Sequence, residues 1–304
     1  MEPVTIVVMP RDKFSVMERC LDDILKNTPE PFELWVLSGG TPEAAKKRWQ
    51  ERYASRAKFT FFPEYRNGAD LRDHALDLLS TKLAVFVDND VYVRPGWLEA
   101  LVRCQRETGA AMVTPLILDR DERIHTAGGD FILMKKNGTT YASMELRYQH
   151  HRVLGALNLT RRETDLCEIH CTLVDVAVLK KIRPYDKSLR EFQEMDSSLS
   201  LSKNGCRMMF EPESVVYLFY EDKLTDPQDM RFHMWKWDMR AMHEGFDHFK
   251  KKWGYDINPN NSFDKYLRAV NRRVGFFSRR WPSAASAKLD QIGHRIGKRS
   301  WAGP

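Results

Sequence analysis

The chain has 304 residues, of which 30% are charged and 42% hydrophobic, and carries a formal net charge of +6. That length can bury a sizeable core in one large or two small domains, and the balance excludes a disordered or fibrous chain. No apolar run approaches the roughly 18 residues of a membrane span, and Met1-Glu2-Pro3 leads straight into Val4-Thr5-Ile6-Val7-Val8, which reads as a chain without a secretory signal.

In chain order, Thr5 to Met9 is a first apolar strand, broken by Pro10-Arg11-Asp12, and a helix follows from about Ser15 with Val16, Cys20, Ile24 and Leu25 at helical spacing. Phe32 to Leu37 is a second strand. Ser38-Gly39-Gly40-Thr41-Pro42 turns into a helix with Thr41 as N-cap and Pro42 at its first position. Lys58 to Phe62 is a third strand, and Gly68 opens a helix with Leu71, Ala75, Leu78 and Leu79 on one face. Strand Leu83 to Val87, a helix from Pro95-Gly96-Trp97-Leu98 to about Gly109, and strand Ala111-Met112-Val113 complete a strand–helix alternation, the pattern of a doubly wound parallel sheet.

Past residue 115 the rhythm changes. Gly128-Gly129 reads as a turn, since no helix start follows it, and residues 135–165 read as polar loops over a site. Cys171 to Asp175 is a strand, Val176 to Lys181 a short helix, and Glu191 to Asp196 leads into a helix that ends at Asn204-Gly205. Arg207 to Pro212 and Val215 to Leu218 are two short strands. The dense Met230 to Met239 stretch reads as a helix on the body, an acceptor groove or a partner surface, and the body ends near Lys252-Trp253-Gly254. The five cysteines read as reduced thiols of a cytoplasmic protein. Two glycan sequons, at Asn137 and Asn158, carry no meaning in that compartment.

The most informative stretch is Leu83-Ala84-Val85-Phe86-Val87-Asp88-Asn89-Asp90. An apolar strand covered on both faces suits a parallel sheet, and ligands of such sheets sit beyond the carboxyl ends of the strands. Two carboxylates held there repel unless a cation or proton lies between them, and hard divalent ions share oxygen ligands with phosphates. The stretch therefore reads as a metal–diphosphate site or as an ordinary Asp- and Asn-containing turn.

The order of several motifs resembles an inverting, family-2-type glycosyltransferase over about residues 3–255. The carriers are Thr5 to Pro10, Arg66-Asn67-Gly68 with Arg72-Asp73, Val87 to Asp90 followed by Pro95-Gly96-Trp97-Leu98, His125 to Gly129, Gln193-Glu194-Met195-Asp196 before Gly205, and Lys251 to Gly254. The resemblance implies an α/β, GT-A (Rossmann-like) fold: a mostly parallel sheet flanked by helices, in a domain over residues 1–255. It implies transfer of a sugar, of hexosyltransferase type, from a nucleotide-sugar donor to a glycan or lipid-linked hydroxyl acceptor. Pro10, Arg11, Asp12, Ser38, Asn67, Arg72, Asp88 and Asn89 would then contact the nucleotide sugar. Asp88 and Asp90 would bind divalent Mn or Mg, and Glu194 would be the catalytic base, with Asp196 as fallback. The family's acidic pair after the second strand is replaced by Ser38-Gly39-Gly40, and its Glu-Asp pair by Gln193-Glu194. Leu218 stands where many members carry a histidine. The third ligand is then His233, His243 or none. His125 and His170 read as hydrogen-bonded structural residues.

One base and one metal site suit the chemistry. The leaving diphosphate needs charge neutralised, the transition state at the anomeric carbon is oxocarbenium-like, and a carboxylate must take the acceptor proton from the opposite face. Two rivals stand beside this reading: a non-catalytic GT-A-like domain that binds a glycan or partner, and, more weakly, a nucleotidyltransferase.

The positive charge lies at one end. Lys265, Arg268, Arg272, Arg273, Arg279, Arg280, Lys288, Arg295, Lys298 and Arg299 face only Asp264 and Asp290, so that residues 264–304 carry +8 and residues 1–263 carry −2. Tyr266, Val270, Val274 and Phe277 form an apolar stripe with Leu267 beside it. Residues 256–304 are read as a helical basic extension. It makes peripheral contact with an anionic membrane at the cytoplasmic face, docks on the domain, or forms a disordered basic end. No recognised motif supports nucleic-acid binding.

Overall fold

The computed structural model describes residues 3–119, 121–145, 153–156, 158–219, 224, 226–257, 267 and 270. The first half alternates as expected: β1 (Val4–Met9), α1 (Met17–Asn27), β2 (Phe32–Gly39), α2 (Glu43–Tyr53), β3 (Ala57–Phe62), α3 (Gly68–Leu78) and β4 (Leu83–Asp88). β1 pairs in parallel with both β2 and β4, and β2 with β3, giving the spatial order β3-β2-β1-β4. Every residue of β1 and β4 is buried because helices cover both faces. The strand period of two divides them: Ile6, Val8, Val85 and Val87 pack with Met17, Leu21, Trp49 and Trp97 on one face. Val7, Met9, Ala84 and Phe86 pack with Leu71, Ala75 and Leu179 on the other.

The second half contributes β5 (Val91–Val93), α4 (Trp97–Thr108), β6 (Met112–Leu118), β7 (Ile124–Thr126), β8 (Asp130–Lys136), β9 (Thr139–Glu145), β10 (Arg162–Glu163), β11 (Cys171–Asp175), α5 (Val176–Ile182), α6 (Gln193–Lys203), β12 (Met208–Leu218), α7 (Pro227–Lys236) and α8 (Met239–Trp253). β11 inserts antiparallel between β4 and β6, and β12 runs parallel to β6. The sheet is mostly parallel with this one central strand reversed. The reversal matters for function, because it brings the start of β11 beside the carboxyl end of β4: the Asp88 amide donates to the His170 carbonyl at 2.8 Å.

Several local expectations change. Residues 135–145 belong to an antiparallel hairpin, β8–β9, rather than to loops. Its turn is Asn137-Gly138, both at positive φ (49° and 77°), as a two-residue type I′ hairpin requires. Residues 208–218 form one strand, bent by a register shift between Glu211 and Val215 that accommodates Pro212. α2 takes Pro42, not Thr41, as N-cap. The Met- and Trp-rich stretch holds two helices, capped by Asp226 and Asp238. α8 stops at Gly254, whose φ of 76° is a left-handed helix end. All five cysteines are free.

Of the basic C-terminal extension, only Asp256, Ile257, Leu267 and Val270 are among the described residues. Ile257, Leu267 and Val270 are buried, in an apolar cluster with Trp237, Phe246 and Phe249. Among the described residues no helix is long and apolar enough to cross a membrane.

Candidate active site

The site is built around the end of β4. Asp88, Asn89 and Asp90 are all buried, and each has a different job. Asp88 Oδ1 accepts from Arg72 Nη2 at 2.9 Å, and Asp88 Oδ2 lies 2.8 Å from His170 Nδ1. Burial pushes the Asp88 carboxyl up, while Arg72 and Arg11 pull it back. Asn89 is a clamp: its Oδ1 accepts from the Arg11 amide at 3.1 Å and its Nδ2 donates to the Lys13 carbonyl at 2.8 Å. Asp90 Oδ2 accepts from Arg11 Nη1 at 2.9 Å, whereas Asp90 Oδ1 is buried with no hydrogen-bond partner.

The loop after β1 therefore lies across the end of β4. Arg11 also stands 3.6 Å from Asp12 and 3.8 Å from Asp88. One guanidinium thus faces three carboxylates. Asp12 Oδ1 accepts from Lys236 Nζ at 2.9 Å and Trp237 Nε1 at 3.0 Å, tying the loop to the end of α7. Burial raises the Asp12 carboxyl, but Lys236 and Arg11 outweigh it and hold the group well below the usual carboxylate range.

Ser38 lies near the end of β2, and Asn67 stands just before α3. The Ser38 hydroxyl bonds the Thr41 hydroxyl at the end of β2. Beyond it, a Cβ on Gly39 would come within 2.5 Å of the Glu64 carbonyl, so the glycine lets the residue 64–66 loop pass close by. This is a packing reason for the absence of an acidic pair there. Asn67 caps α3 by accepting from the Asp70 amide at 3.0 Å and donates to the Lys187 carbonyl at 2.9 Å. Arg72 is fully enclosed and bonds Gln193 Oε1 at 3.2 Å and the Ile169 carbonyl at 2.9 Å besides Asp88. A Cβ on Gly68 would lie 2.4 Å from Arg72 Nη1, so the glycine leaves the room that this guanidinium occupies.

α6 supplies the acids. Phe192, just before it, has φ +61°, a left-handed conformation that costs a bulky residue about 1–2 kcal/mol. Its burial with Met195, Trp237 and Phe246 holds it there. The helix then starts abruptly with Gln193, Glu194 and Asp196 in its first turn. Glu194 is buried, and burial, with Glu168 and Glu191 adding negative charge, raises its carboxyl well above the ordinary value. Asp196 is engaged elsewhere: Lys252 Nζ lies 2.8 Å and Trp253 Nε1 2.7 Å from its Oδ1. The acid pair of this motif thus splits, Glu194 buried near Glu168 and Glu191 and Asp196 pinning the end of α8.

Two features escaped the sequence reading. Glu191, two residues before α6, is pushed up to about 7, first by burial and then by Asp12 and Glu168, with Lys236 and Arg11 opposing. The other is a cluster of His125 from β7 with Glu168 and His170 from the approach to β11. One donor atom from each lies within 4.8 Å of the other two, and all three are buried. Burial holds His170 down to about 3, so its ring is neutral at ordinary pH. The sequence treated both histidines separately as structural. Of the two expected third ligands, His233 is buried on α7 with Nε2 3.4 Å from the Val270 carbonyl, and His243 is exposed beside Phe246.

A divalent cation implied by the fold family fits the residues present. The orphaned oxygen of Asp90 is a hard donor with no other use, beside a carboxylate-rich loop. Asp88 fits less well, since both its oxygens already bond Arg72 and His170.

The fold and this placement define a GT-A protein. The glycosyl transferase family 2 model matches residues 5–165, and the chain belongs to that family. Similar solved structures include GalNAc-T7 with UDP, GalNAc and Mn2+, at TM-score 0.58 and 13% identity, covering 89% of this chain and 54% of that one. The mannosyltransferase PcManGT from Pyrobaculum calidifontis with GDP-Man and Mn2+ aligns at TM-score 0.52 and 14% identity over 99% of this chain and 76% of that one. S. aureus TarS 1-349 in complex with UDP-GlcNAc aligns at 0.54 and 13% over 96% and 89%. At such identities these likenesses show the fold. The chain spans about half the length of the GalNAc-T7 structure. No curated protein sequence matches the chain.

Proposed function

We propose that the protein transfers a sugar, as a hexosyltransferase, from a nucleotide-sugar donor to a hydroxyl acceptor with inversion. One observation carries this reading: buried Glu194 and the orphaned Asp90 oxygen, near the carboxyl end of β4, share the Arg11 guanidinium, which is bonded to Asp90 and acts on Glu194. The GDP-Man and UDP-GlcNAc complexes among similar structures support the donor class.

The roles follow from the contacts. Asp90 Oδ1 would hold Mn2+ or Mg2+, which when bound supplies charge neutralisation at the leaving diphosphate. Asn89 and Asp12 fix the loop from Pro10 to Lys13, so that Arg11 presents its guanidinium to the same region. Arg11 releases or shares Asp90 and meets the diphosphate as a second positive charge. Ser38 and Asn67 border the nucleotide side. Asp88 is a positioning residue that orients Arg72 and His170. Glu194 accepts the proton of the attacking hydroxyl. Its raised affinity for a proton suits that task, because a carboxylate close to the ordinary value is a poor base towards an alcohol. Asp196 anchors α8 and takes no part in proton transfer.

The acceptor in this proposal is a glycan or lipid-linked glycan. Leu267 and Val270 are buried in an apolar cluster with Trp237, Phe246 and Phe249, and the +8 charge of residues 264–304 favours an anionic bilayer at the cytoplasmic face. Sedimentation with anionic liposomes at low salt tests that contact. Absence of co-sedimentation removes it.

Release of nucleotide from a panel of UDP- and GDP-sugars, with Mn2+ or Mg2+ and with glycan acceptors, tests the activity. A single preferred donor with divalent-ion dependence is expected. A chain that binds glycan but turns over no donor would be a binding module.

A further inference from the structure

We propose that His125, Glu168 and His170 form a second cation site, distinct from the oxygen position at Asp90, that takes a first-row transition dication such as Zn2+.

The donor set comes first. Two imidazoles and one carboxylate are borderline ligands that suit zinc, cobalt, nickel or iron, whereas magnesium, calcium and manganese prefer all-oxygen surroundings. One donor atom from each residue falls within a 4.8 Å group, and the three residues are 4%, 7% and 7% exposed. His125 belongs to β7 and His170 directly precedes β11, and both strands pair with β6. His125 therefore stands in the sheet, and Glu168 and His170 lie in the stretch that leads into β11.

The orientation of the rings is the second observation. His170 Nδ1 lies 2.8 Å from Asp88 Oδ2, and His125 Nδ1 lies 3.3 Å from Asp119 Oδ1. A carboxylate on one ring nitrogen is the arrangement that orients metal-binding histidines and fixes their tautomer. The other nitrogen of His170 stands 3.6 Å from Glu168 Oε1. That separation is too long for a hydrogen bond, which ends at about 3.2 Å. It is close to the roughly 3.3 Å between two ligands of a tetrahedral ion with bonds of about 2.0–2.1 Å. Three protein donors leave one position of such an ion for water or substrate, the pattern of catalytic rather than structural zinc. The site would lie beside Glu194, on which Glu168 acts.

The experiment uses the full chain, stripped with a chelator, dialysed and titrated with ZnCl2 alone, with bound metal counted by mass spectrometry. One Zn2+ per chain is expected. His125→Gln, Glu168→Gln and His170→Gln should each weaken it by about 100-fold or more, while Asp90→Asn keeps wild-type Zn2+ affinity. Because a variant could lose its fold, Co2+ is also added to the wild-type chain, where visible d–d bands of a histidine-bound, low-coordinate ion are expected. The proposal is overturned if wild type takes up no stoichiometric Zn2+ and its Co2+ spectrum is that of the aqueous ion. It is equally overturned if folded triad variants bind Zn2+ as wild type does, or if Asp90→Asn abolishes the same uptake, which would mean one shared site.

Discussion

Arg72 Nη2 lies 2.9 Å from Asp88 Oδ1, with both side chains almost wholly enclosed (2% and 6% exposed). The pair joins α3 to the end of β4 and reaches α6 through Gln193. Such a pair contributes little net stability over apolar replacements, but removing one partner strands a buried charge, at a cost of about 3–5 kcal/mol. Arg72→Ala should lose that much in urea unfolding, and a loss under about 1 kcal/mol would show that water or another cation replaces the guanidinium.

Asp196 tests the division of labour on α6. Asp196→Asn keeps an acceptor for Trp253 but removes the charge facing Lys252, with which it makes a charge-assisted bond. A stability loss of about 1–3 kcal/mol is expected, with nucleotide affinity unchanged by calorimetry. Intact stability with lost turnover would return the role of base to Asp196.

Glu191 gives a pH signature. Its carboxyl shifts from 4.5 when unfolded to about 7 in the fold. Between those values the native state binds more protons than the unfolded state, so stability from this group is full below about pH 4.5 and is lost as pH rises through 7. Glu191→Gln removes the dependence. Its melting temperature should rise relative to wild type as the pH goes from 5 to 7.5, as read by calorimetric scans in matched buffers. A constant difference would mean that Glu191 titrates normally.

Asp90 and the nucleotide form a further pair of expectations. UDP or GDP should bind more tightly with Mn2+ or Mg2+ than with EDTA, and Asp90→Asn should abolish that difference, because the orphaned Oδ1 is the proposed ligand. Isothermal titration with each ion reads it. Equal affinities with and without ion would take the cation away from Asp90.

Contiguity decided what the sequence could reveal. Asp88-Asn89-Asp90 was legible because the apolar run before it can hardly be anything but a buried strand. α3 was legible from the helical spacing of Leu71, Ala75, Leu78 and Leu79, whereas its Asn67 cap came only with the structure. The β8–β9 hairpin was missed because Ile132, Leu133 and Met134 are exposed and no alternation marks a buried face. Its one clear signal, Asn137-Gly138, was read as a glycan sequon. The His125–Glu168–His170 cluster had no sequence signature, since its members meet only after β11 inserts in reverse between β4 and β6. The split between Glu194 and Asp196 likewise depends on Lys252 and Trp253, which lie far from the motif in sequence and meet Asp196 only in the fold. The residues that contact one another locally were readable, and those joined by the sheet order were not.

The central claim is that Glu194 removes the acceptor proton in a sugar transfer. The most direct test is kcat for wild type and Glu194→Gln with the donor and acceptor found by screening, with donor affinity measured separately by calorimetry. The account predicts a kcat loss of about 10²-fold or more with donor affinity within a factor of a few of wild type. A Glu194→Gln protein that turns over at the wild-type rate would contradict it.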